Sequence, residues 1–271
     1  QMEKVESGKK YTINNSIFTS FEKPKDANVF LILLNQKFHG ESTTKLIEMS
    51  DYFICADGGA NRLYDHLKGE DDKVKYKPQK IVGDLDSLKQ STREFYESIG
   101  VGIDYRASQD ENDTEKALEV LKQMYIENEA WQKKKENIIF ITGCFGKRLD
   151  HTLNNLSILH KFSKAYDETF GNFTICMLGK DSMAYCILPG TTKFVRSSTF
   201  ESDKGIGLIP LCGACEYLAT KGFKWDLGGD LTRLEFGWFI SSSNEFVSTE
   251  EVQIKNSDPL ILTIPFRKII N

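Results

Sequence analysis

Between Val29 and Leu178 the sequence alternates short apolar runs with longer amphipathic runs, and the short runs end in small or polar residues. Short and continuously apolar runs are typical of strands in a parallel sheet that is covered on both faces. Apolar residues between these runs recur at helical spacing, which predicts helices that cross between parallel strands. The predicted strands are residues 29–34, 52–56, 80–82, 102–105, 137–142 and 174–178, and the predicted helices include residues 117–125 and 153–160.

After Gly179 the pattern changes, because the helical period is absent and Gly, Ser and Pro interrupt short apolar runs. This pattern is typical of antiparallel β structure and predicts a sandwich or a small barrel. We therefore predict a polar leader, an α/β domain with a Rossmann-like parallel sheet, and an all-β sandwich domain. Their predicted limits are residues 1–28, 29–180 and 181–271, and the later predicted strands are 205–211, 216–220, 234–240, 251–254 and 260–264. Two charged insertions, residues 68–77 and 127–136, are expected to be solvated.

Composition and charge narrow the class of protein. Hydrophobic residues make up 40% of the 271 and charged residues 27%, which is enough apolar material for a folded core. A net charge of −4 lacks the surplus of Lys and Arg that binding to nucleic acid requires. We find neither an apolar run of about 20 residues nor a signal-like start, so we expect no membrane partner and a cytoplasmic location.

Acidic residues recur where predicted strands end. In an open parallel sheet, ligands bind at the carboxyl ends of the strands. Carboxylates crowded at one edge repel each other unless a cation joins them, and carboxylate oxygens suit Mg²⁺. The sequence therefore predicts a magnesium phosphate site, although each Asp could instead cap a helix or a turn. Asp110 or Asn112, with Glu115 following, is placed for a capping box. The five acidic residues are Asp57, Asp84, Asp86, Asp110 and Asp113.

Two other segments at strand ends carry candidate chemistry. Gly58 and Gly59 allow either a close approach of the backbone to a ligand or a positive φ. Lys147 and Arg148 supply cations in a glycine-containing turn, and a guanidinium group matches phosphate oxygens. The alternative for this basic turn is a solvated pairing with nearby acids. His151 follows without a recognisable Ser or Cys nucleophile, so we expect it to orient a loop.

In the second domain, Trp225 and Asp226 lie between glycine-containing turns, and residues 241–244 are predicted to form another turn. An aromatic face attracts a cation, and a neighbouring carboxylate strengthens that preference. These residues therefore predict contact with a flat cationic ligand. The alternative is a tryptophan that belongs to the core.

Taken together, these segments resemble the thiamine pyrophosphokinase family. The segments are ICADGGANRLYD (54–65), GDLDS (83–87), QDENDTEK (109–116), GKRLDHTLNN (146–155), GIGLIP (205–210), GFKWDL (222–227) and SSSN (241–244). The resemblance implies transfer of the diphosphate of ATP to the hydroxyethyl group of thiamine, which gives thiamine diphosphate and AMP. It also implies a homodimer whose active sites are formed across subunits. A metal-dependent phosphohydrolase with Asp84 and Asp86 as its nucleophile pair, and a noncatalytic nucleotide-binding module, remain alternatives.

The resemblance assigns roles to residues of the first domain. Asp84, Asp86 and Asp113 would hold Mg²⁺ on the triphosphate of the co-substrate ATP. Arg148 would bind phosphate, and Asp150 would lie at the transfer site. We expect Asp150 or Asp113 to be the group nearest the attacking hydroxyl. The resemblance implies four further ligand-binding positions near the ends of the predicted strands, namely Asp57, Gly58, Asn61 and Lys116.

The resemblance also assigns residues to thiamine. Gln109 would lie beside it, in the first domain. Trp225 of the partner subunit would lie against it, where an aromatic face suits a thiazolium ring. The positions implied near this tryptophan are Asp226, Ser243 and Asn244.

Overall fold

The computed structural model describes residues 8–37, 41–108, 110–146, 148–197, 203–229, 232–247 and 251–265. Its strands are β1 (Lys10–Asn14), β2 (Ala27–Leu33), β3 (Tyr52–Ala56), β4 (Lys80–Gly83), β5 (Gly102–Tyr105), β6 (Glu136–Thr142), β7 (Phe173–Leu178), β8 (Ser182–Ile187), β9 (Gly190–Val195), β10 (Lys204–Ile209), β11 (Leu218–Lys221), β12 (Ser241–Glu245), β13 (Glu251–Asn256) and β14 (Leu260–Pro265). Its helices are α1 (Ile17–Ser20), α2 (Glu41–Met49), α3 (Gly59–His66), α4 (Glu70–Lys75), α5 (Gln90–Ser98), α6 (Asp113–Ile126), α7 (Glu129–Gln132) and α8 (Leu149–Thr169). None of these helices combines the length and the apolar character that crossing a membrane demands.

The elements form two compact units. The first, here the α/β unit, consists of Lys23–Ile158 and Cys176–Lys180. The second, here the β-rich unit, consists of the described residues up to Glu22, Leu159–Ile175 and the described residues from Asp181 onward. Within the β-rich unit, β1 pairs in parallel with β9. The predicted polar leader therefore contains a strand. Its sequence KYTIN lacks the apolar pattern of a buried strand, because only Ile13 is buried.

Five strands of the α/β unit pair in parallel, in the order β6, β2, β3, β4, β5. β2 is buried along its whole length, and β6 is buried from its second residue onward. Such continuous burial agrees with their apolar sequences and confirms these strands within two residues of the prediction. β3 and β4 are neighbours, with Ala56 paired to Val82, so the segments that follow them begin side by side.

The β-rich unit contains two groups of paired strands. One has the order β1, β9, β13, β11, and in the other β8, β14, β10 and β12 pair antiparallel. Four of the five strands predicted here are present. The architecture is therefore a mixed-sheet α/β domain with a β-rich domain. The Rossmann-like and sandwich assignments stay predictions.

Two predictions about local structure are wrong. Residues 234–240 form no strand but a tight turn, in which Glu235 pairs with Phe239 and Gly237 has a φ of 85°. Residues 241–244 form no turn but belong to β12, a strand at the edge of its group whose polar sequence lacks the usual strand signal. The insertion at 127–136 forms α7, which buries no residue, as predicted, although the Trp131 ring packs 5.0 Å from that of Phe30. The other insertion forms α4, which buries no residue, as predicted.

Candidate active site

The turn from β3 to α3 begins the site. Asp57 follows β3 directly and has a positive φ of 43°, whereas Gly58 has an ordinary helical φ of −60°. A Cβ atom on Gly58 would lie 2.3 Å from Nδ2 of Asn35, and one on Gly59 would lie 2.2 Å from the carbonyl oxygen of Leu33. The glycine pair is therefore explained by close packing against the end of β2, and the positive φ falls on the aspartate.

Asn61 on α3 holds the segment that follows β4. Its side-chain amide donates to the carbonyl oxygen of Ser87 at 2.7 Å, and its side-chain oxygen accepts from the backbone N–H of Lys89 at 3.0 Å. The backbone N–H of Ser87 also donates to Oδ2 of Asp57 at 3.2 Å. Asn61 is itself buried. Asn61 therefore fixes the backbone of the segment that carries Asp84 and Asp86.

Three of the predicted acidic residues come together. Asp57, Asp84 and Asp86 each offer a carboxylate oxygen, and these oxygens lie within 4.8 Å of one another. Asp57 is 2% exposed, and its Oδ1 has no hydrogen-bond partner among the described residues. Burial raises the pKa of Asp57, while hydrogen bonds from Gly58 and Ser87 lower it. A buried carboxylate with an unpartnered oxygen is costly unless a cation completes its surroundings.

Asp113 is positioned by the start of α6. Asn112 is the N-cap, and its side chain accepts from the backbone N–H of Glu115 at 3.0 Å. The Glu115 side chain accepts in return from the backbone N–H of Asn112 at 3.2 Å. This confirms the predicted capping box with Asn112 as the cap. Asp110 is exposed and lies outside the group of three carboxylates.

Asp113 lies beside that group rather than within it. Its Oδ1 is 3.7 Å from Nζ of Lys116, which is in turn 3.4 Å from Oδ2 of Asp84. Burial, and then the charges of Asp57, Asp84 and Asp86, raise the pKa of Asp113 to about 6, although Lys116 opposes this shift. The structure thus groups Asp57 with Asp84 and Asp86 in the position where the sequence analysis expected Asp113.

A cavity of about 460 Å³ adjoins the carboxylates. Asp57 and Asp113 line it together with Arg148, His151, Asn154 and Asn155. Both asparagines belong to the segment 146–155 that carries the resemblance, but the strand-end pattern singles out neither, because they lie within α8 and not at a strand end. The buried Asn155 amide donates to the carbonyl oxygen of Cys144 at 2.7 Å, and its side-chain oxygen accepts from the Thr114 hydroxyl at 3.4 Å. Asn155 therefore links the loop after β6 to the start of α6.

Arg148 and Asp150 form an exposed ion pair. The guanidinium group donates from Nε to Oδ1 of Asp150 at 3.1 Å and from a terminal nitrogen to Oδ2. The hydrogen bonds from Arg148, and to a smaller extent its charge, lower the pKa of Asp150. Arg148 lines the cavity, whereas Asp150 is not among the residues that line it. Gln109 and Lys147 lie outside the described residues.

The β-rich unit holds Trp225 in a turn that is hydrogen-bonded on both sides of this residue. Its ring is half-exposed, and its backbone N–H and carbonyl oxygen both bond to the buried Asn244 side chain, at 3.3 and 2.9 Å. Nζ of Lys224 lies 4.6 Å from the ring centroid. The Asp226 carboxylate accepts bonds within its own turn, from the backbone N–H groups of Gly222 and Phe223 and from the Thr220 hydroxyl. The exposed Ser243 has a φ of 62°.

Comparison with known proteins identifies the family. The family model of the thiamin pyrophosphokinase catalytic domain matches residues 43–170, and that of the vitamin B1 binding domain matches residues 195–261. Thiamine pyrophosphokinase 3 of Oryza sativa subsp. japonica is 34% identical over 249 residues, which cover 88% of this chain and 86% of that protein. Thiamine pyrophosphokinase of Saccharomyces cerevisiae is 26% identical, over 89% of this chain and 86% of that protein.

A solved structure agrees in fold. Thiamin pyrophosphokinase from Candida albicans superposes with a TM-score of 0.80 at 22% identity, over 95% of this chain and 93% of that chain. At this identity the likeness concerns the fold alone, so the sequence matches decide the family. The chain belongs to the thiamine pyrophosphokinase family.

Proposed function

We propose that this chain transfers the diphosphate of ATP to the hydroxyethyl oxygen of thiamine, giving thiamine diphosphate and AMP. The proposed site is the acidic rim of the α/β unit, by which we mean Asp57, Asp84, Asp86 and Asp113. Family membership supports the reaction. The observation that carries the choice of site is the group formed by Asp57, Asp84 and Asp86 beside a cavity of about 460 Å³. Phosphate-rich substrates need such a place for a divalent cation.

The residues present fit Mg²⁺. Oδ1 of Asp57 is buried without a partner in the described part of the chain, and two further carboxylates lie within 4.8 Å. Hard oxygen donors of this kind suit Mg²⁺, so Asp57, Asp84 and Asp86 would hold it, with Asp113 beside them. When bound, Mg²⁺ supplies charge neutralisation on the phosphate oxygens.

In the reaction, the thiamine hydroxyl oxygen forms a bond to the β-phosphorus of ATP. The bond between that phosphorus and the oxygen of the α-phosphate breaks, AMP leaves, and the hydroxyl proton passes to a base. Asp113 lines the cavity, whereas Asp150 is held by Arg148 at the surface. The geometry therefore favours Asp113 as the carboxylate nearest the attacking hydroxyl.

Arg148 is suited to bind phosphate within the same cavity. Its present partner, Asp150, is as exposed as Arg148 itself. An exposed ion pair contributes only about 0–1 kcal/mol, so exchanging the carboxylate for a phosphate group costs little. The fork of N–H donors that now faces Asp150 has the geometry that phosphate oxygens require.

The direct test is product analysis with thiamine and Mg-ATP. We expect AMP and thiamine diphosphate in equal amounts, and no AMP when thiamine is omitted. A phosphohydrolase would release inorganic phosphate without thiamine, and a noncatalytic nucleotide-binding module would release nothing. Formation of ADP in place of AMP would contradict the transfer of two phosphates.

We also infer that the active sites are shared in a homodimer, with thiamine bound against Trp225 of the partner subunit. Mixing Asp86→Asn with Trp225→Ala tests this arrangement, because each mixed dimer then has one site free of both changes. At a thiamine concentration well below the KM, where Trp225→Ala dimers turn over slowly, random exchange of subunits would return about a quarter of the unmutated activity. No recovery after proven exchange would mean that each chain binds thiamine with its own Trp225.

The finer fold assignments belong to the same proposal. Five parallel strands in the α/β unit support a Rossmann-like sheet. Rings of Phe194, Phe246 and Phe223 stack in series in the β-rich unit, with centroid distances of 6.1 and 5.4 Å, which supports a sandwich core. The cytoplasmic location stays a prediction.

A further inference from the structure

Lys116 is buried among the carboxylates of the site. Its side chain is 1% exposed, and Nζ lies 3.4 Å from Oδ2 of Asp84 and 3.7 Å from Oδ1 of Asp113. Replacing a buried ion pair with apolar residues often leaves stability unchanged or increases it, so a need for stability does not explain this lysine. Its position beside the group that would hold a cation suggests a role in metal binding.

The positive charge of Lys116 is fixed in place. The residue lies in the first turn of α6, three residues after Asp113, and Val120, four residues further on the same face of the helix, is also buried. The lysine stem therefore has no path into solvent along this face of the helix. A divalent ion bound by Asp84 would lie close to this ammonium group and would be repelled by it.

We propose that Lys116 is a built-in counter-ion, which weakens the binding of a free divalent ion to Asp57, Asp84 and Asp86 so that the ion binds tightly only together with the phosphates of the nucleotide. The inference rests on the proposed function. The triphosphate adds negative charge that outweighs the ammonium group, so the two ligands bind cooperatively. Linkage requires each ligand to raise the affinity of the other by the same factor.

Substitution of Lys116 should change the metal affinity in the opposite direction from substitution of a residue that binds the ion. Substituting Lys116 with a neutral side chain removes a positive charge from the vicinity of the ion. Metal affinity in the absence of nucleotide then rises, and we expect an increase of about tenfold or more from charge removal at this distance. The gain in metal affinity that nucleotide produces becomes correspondingly smaller.

The experiment measures the affinity for Mn²⁺, as a spectroscopic substitute for Mg²⁺, in the intact chain and in Lys116→Met. Free Mn²⁺ is determined by electron paramagnetic resonance, first with the metal alone and then with α,β-methylene-ATP. In this analogue a methylene group replaces the oxygen between the α- and β-phosphorus atoms, so the transfer reaction cannot occur. Lys122→Met, six residues further along α6, alters the net charge equally and serves as the matched control. We expect tighter binding of the metal alone in Lys116→Met and unchanged binding in Lys122→Met.

Lys116→Arg separates charge from shape. It keeps the positive charge, so we expect the weak metal-only affinity of the unmutated chain. Unchanged or weaker metal-only binding by Lys116→Met would overturn the proposal, as would tight binding by Lys116→Arg. If Lys116→Met fails to fold, Lys116→Gln takes its place, because it also removes the charge, and unchanged or weaker metal-only binding by that variant would overturn the proposal in the same way.

The proposal and the proposed function fail in different ways. If the unmutated chain forms AMP from thiamine and Mg-ATP but Lys116→Met binds Mn²⁺ as the unmutated chain does, only the role of Lys116 is wrong. If Asp86→Asn leaves Mn²⁺ binding unchanged, the carboxylates are not the metal site. In that case the residue assignments of the proposed function are wrong as well.

Discussion

The acidic rim and the Trp225 turn use their polar side chains in opposite ways. On the rim, Asp57 keeps an oxygen unpartnered among the described residues, and neighbouring carboxylates repel each other. In the turn, Asp226 accepts three hydrogen bonds and Asn244 bonds to both sides of the Trp225 peptide. One region therefore leaves a buried carboxylate oxygen without a partner among the described residues, whereas the other pairs its polar groups and leaves Trp225 53% exposed.

The difference follows from the ligand that each region would receive. A divalent ion needs oxygen lone pairs that no protein donor occupies, so its site is under electrostatic strain before the ion binds. A flat organic cation needs an aromatic face in a fixed orientation, which a well-bonded turn provides. Removing a polar group should therefore reduce activity without reducing stability on the rim, and should reduce stability first in the turn.

The largest expected effect is that of Asp86→Asn, which keeps the shape of the side chain but removes an anionic ligand. We expect the rate of AMP formation to fall well over tenfold, which is more than about 1.4 kcal/mol in the barrier, with the fold retained. Asp71→Asn, on the exposed α4, is the matched control and should leave the rate unchanged. Near-normal turnover of Asp86→Asn would exclude Asp86 from the metal site.

A smaller effect is expected for Trp225→Ala. Loss of the aromatic face should raise the KM for thiamine about tenfold, because a cation–π contact contributes about 1–2 kcal/mol. The KM for ATP should change little, and Trp225→Phe should recover part of the loss. Steady-state kinetics with each substrate varied in turn provides the measurement. Equal losses for both substrates would show that Trp225 acts through packing.

The same contrast explains which features the sequence could predict. The parallel strands and the acidic residues at their ends follow from local patterns, because apolar runs of this kind pack only inside a covered sheet. That Asp57 joins Asp84 and Asp86 depends instead on the pairing of β3 with β4, which no local pattern contains. Likewise, the resemblance implies Lys116 as a ligand-binding position, but no local pattern predicts that the packing of α6 buries its charge.

In the β-rich unit, prediction failed where polarity and conformation disagree. β12 has the polar sequence SSSNE, and two of its residues are exposed at the edge of its group, so the usual alternation is missing. β1 is also missed because its sequence KYTIN buries only Ile13, and because its partner β9 lies far along the chain. For Trp225 the residues alone left two interpretations open, a ligand contact and a core position, because tryptophan is more often buried. The resemblance favours the ligand contact, and its half-exposed ring is compatible with that interpretation.

The turn itself is tested by Asp226→Asn. One acceptor oxygen becomes an amide donor. If it replaces Oδ2, the bond from the N–H of Gly222 is lost, and if it replaces Oδ1, the bonds from the N–H of Phe223 and the Thr220 hydroxyl are lost. We expect the free energy of unfolding to fall by about 1–2 kcal/mol. The KM for thiamine should change less than in Trp225→Ala. A large loss of thiamine affinity with unchanged stability would instead show that Asp226 attracts the cation directly.

The smallest expected effect concerns the stability of the rim without metal. The pKa of Asp113 is about 6 in the folded protein and 3.8 in its ordinary range, so the folded state binds this proton more tightly than the unfolded state. Between about pH 4 and 6, the free energy of unfolding of the chelator-treated protein should therefore fall as the pH rises. Above about pH 6, where Asp113 is ionised in both states, the destabilising penalty of this charge in the folded protein is fully present.

Asp113→Asn removes this penalty while keeping the shape of the side chain. At about pH 7.5 the substitution should stabilise the metal-free protein by about 1 kcal/mol, with the difference vanishing toward about pH 4. The effect is smaller than the shift alone would imply, because 37% of the Asp113 side chain is exposed and solvent screens its charge. Denaturant titration with a chelator at both pH values provides the measurement. A loss of stability at the higher pH would mean that attraction to Lys116 exceeds repulsion among the carboxylates, and the rim would then not be strained.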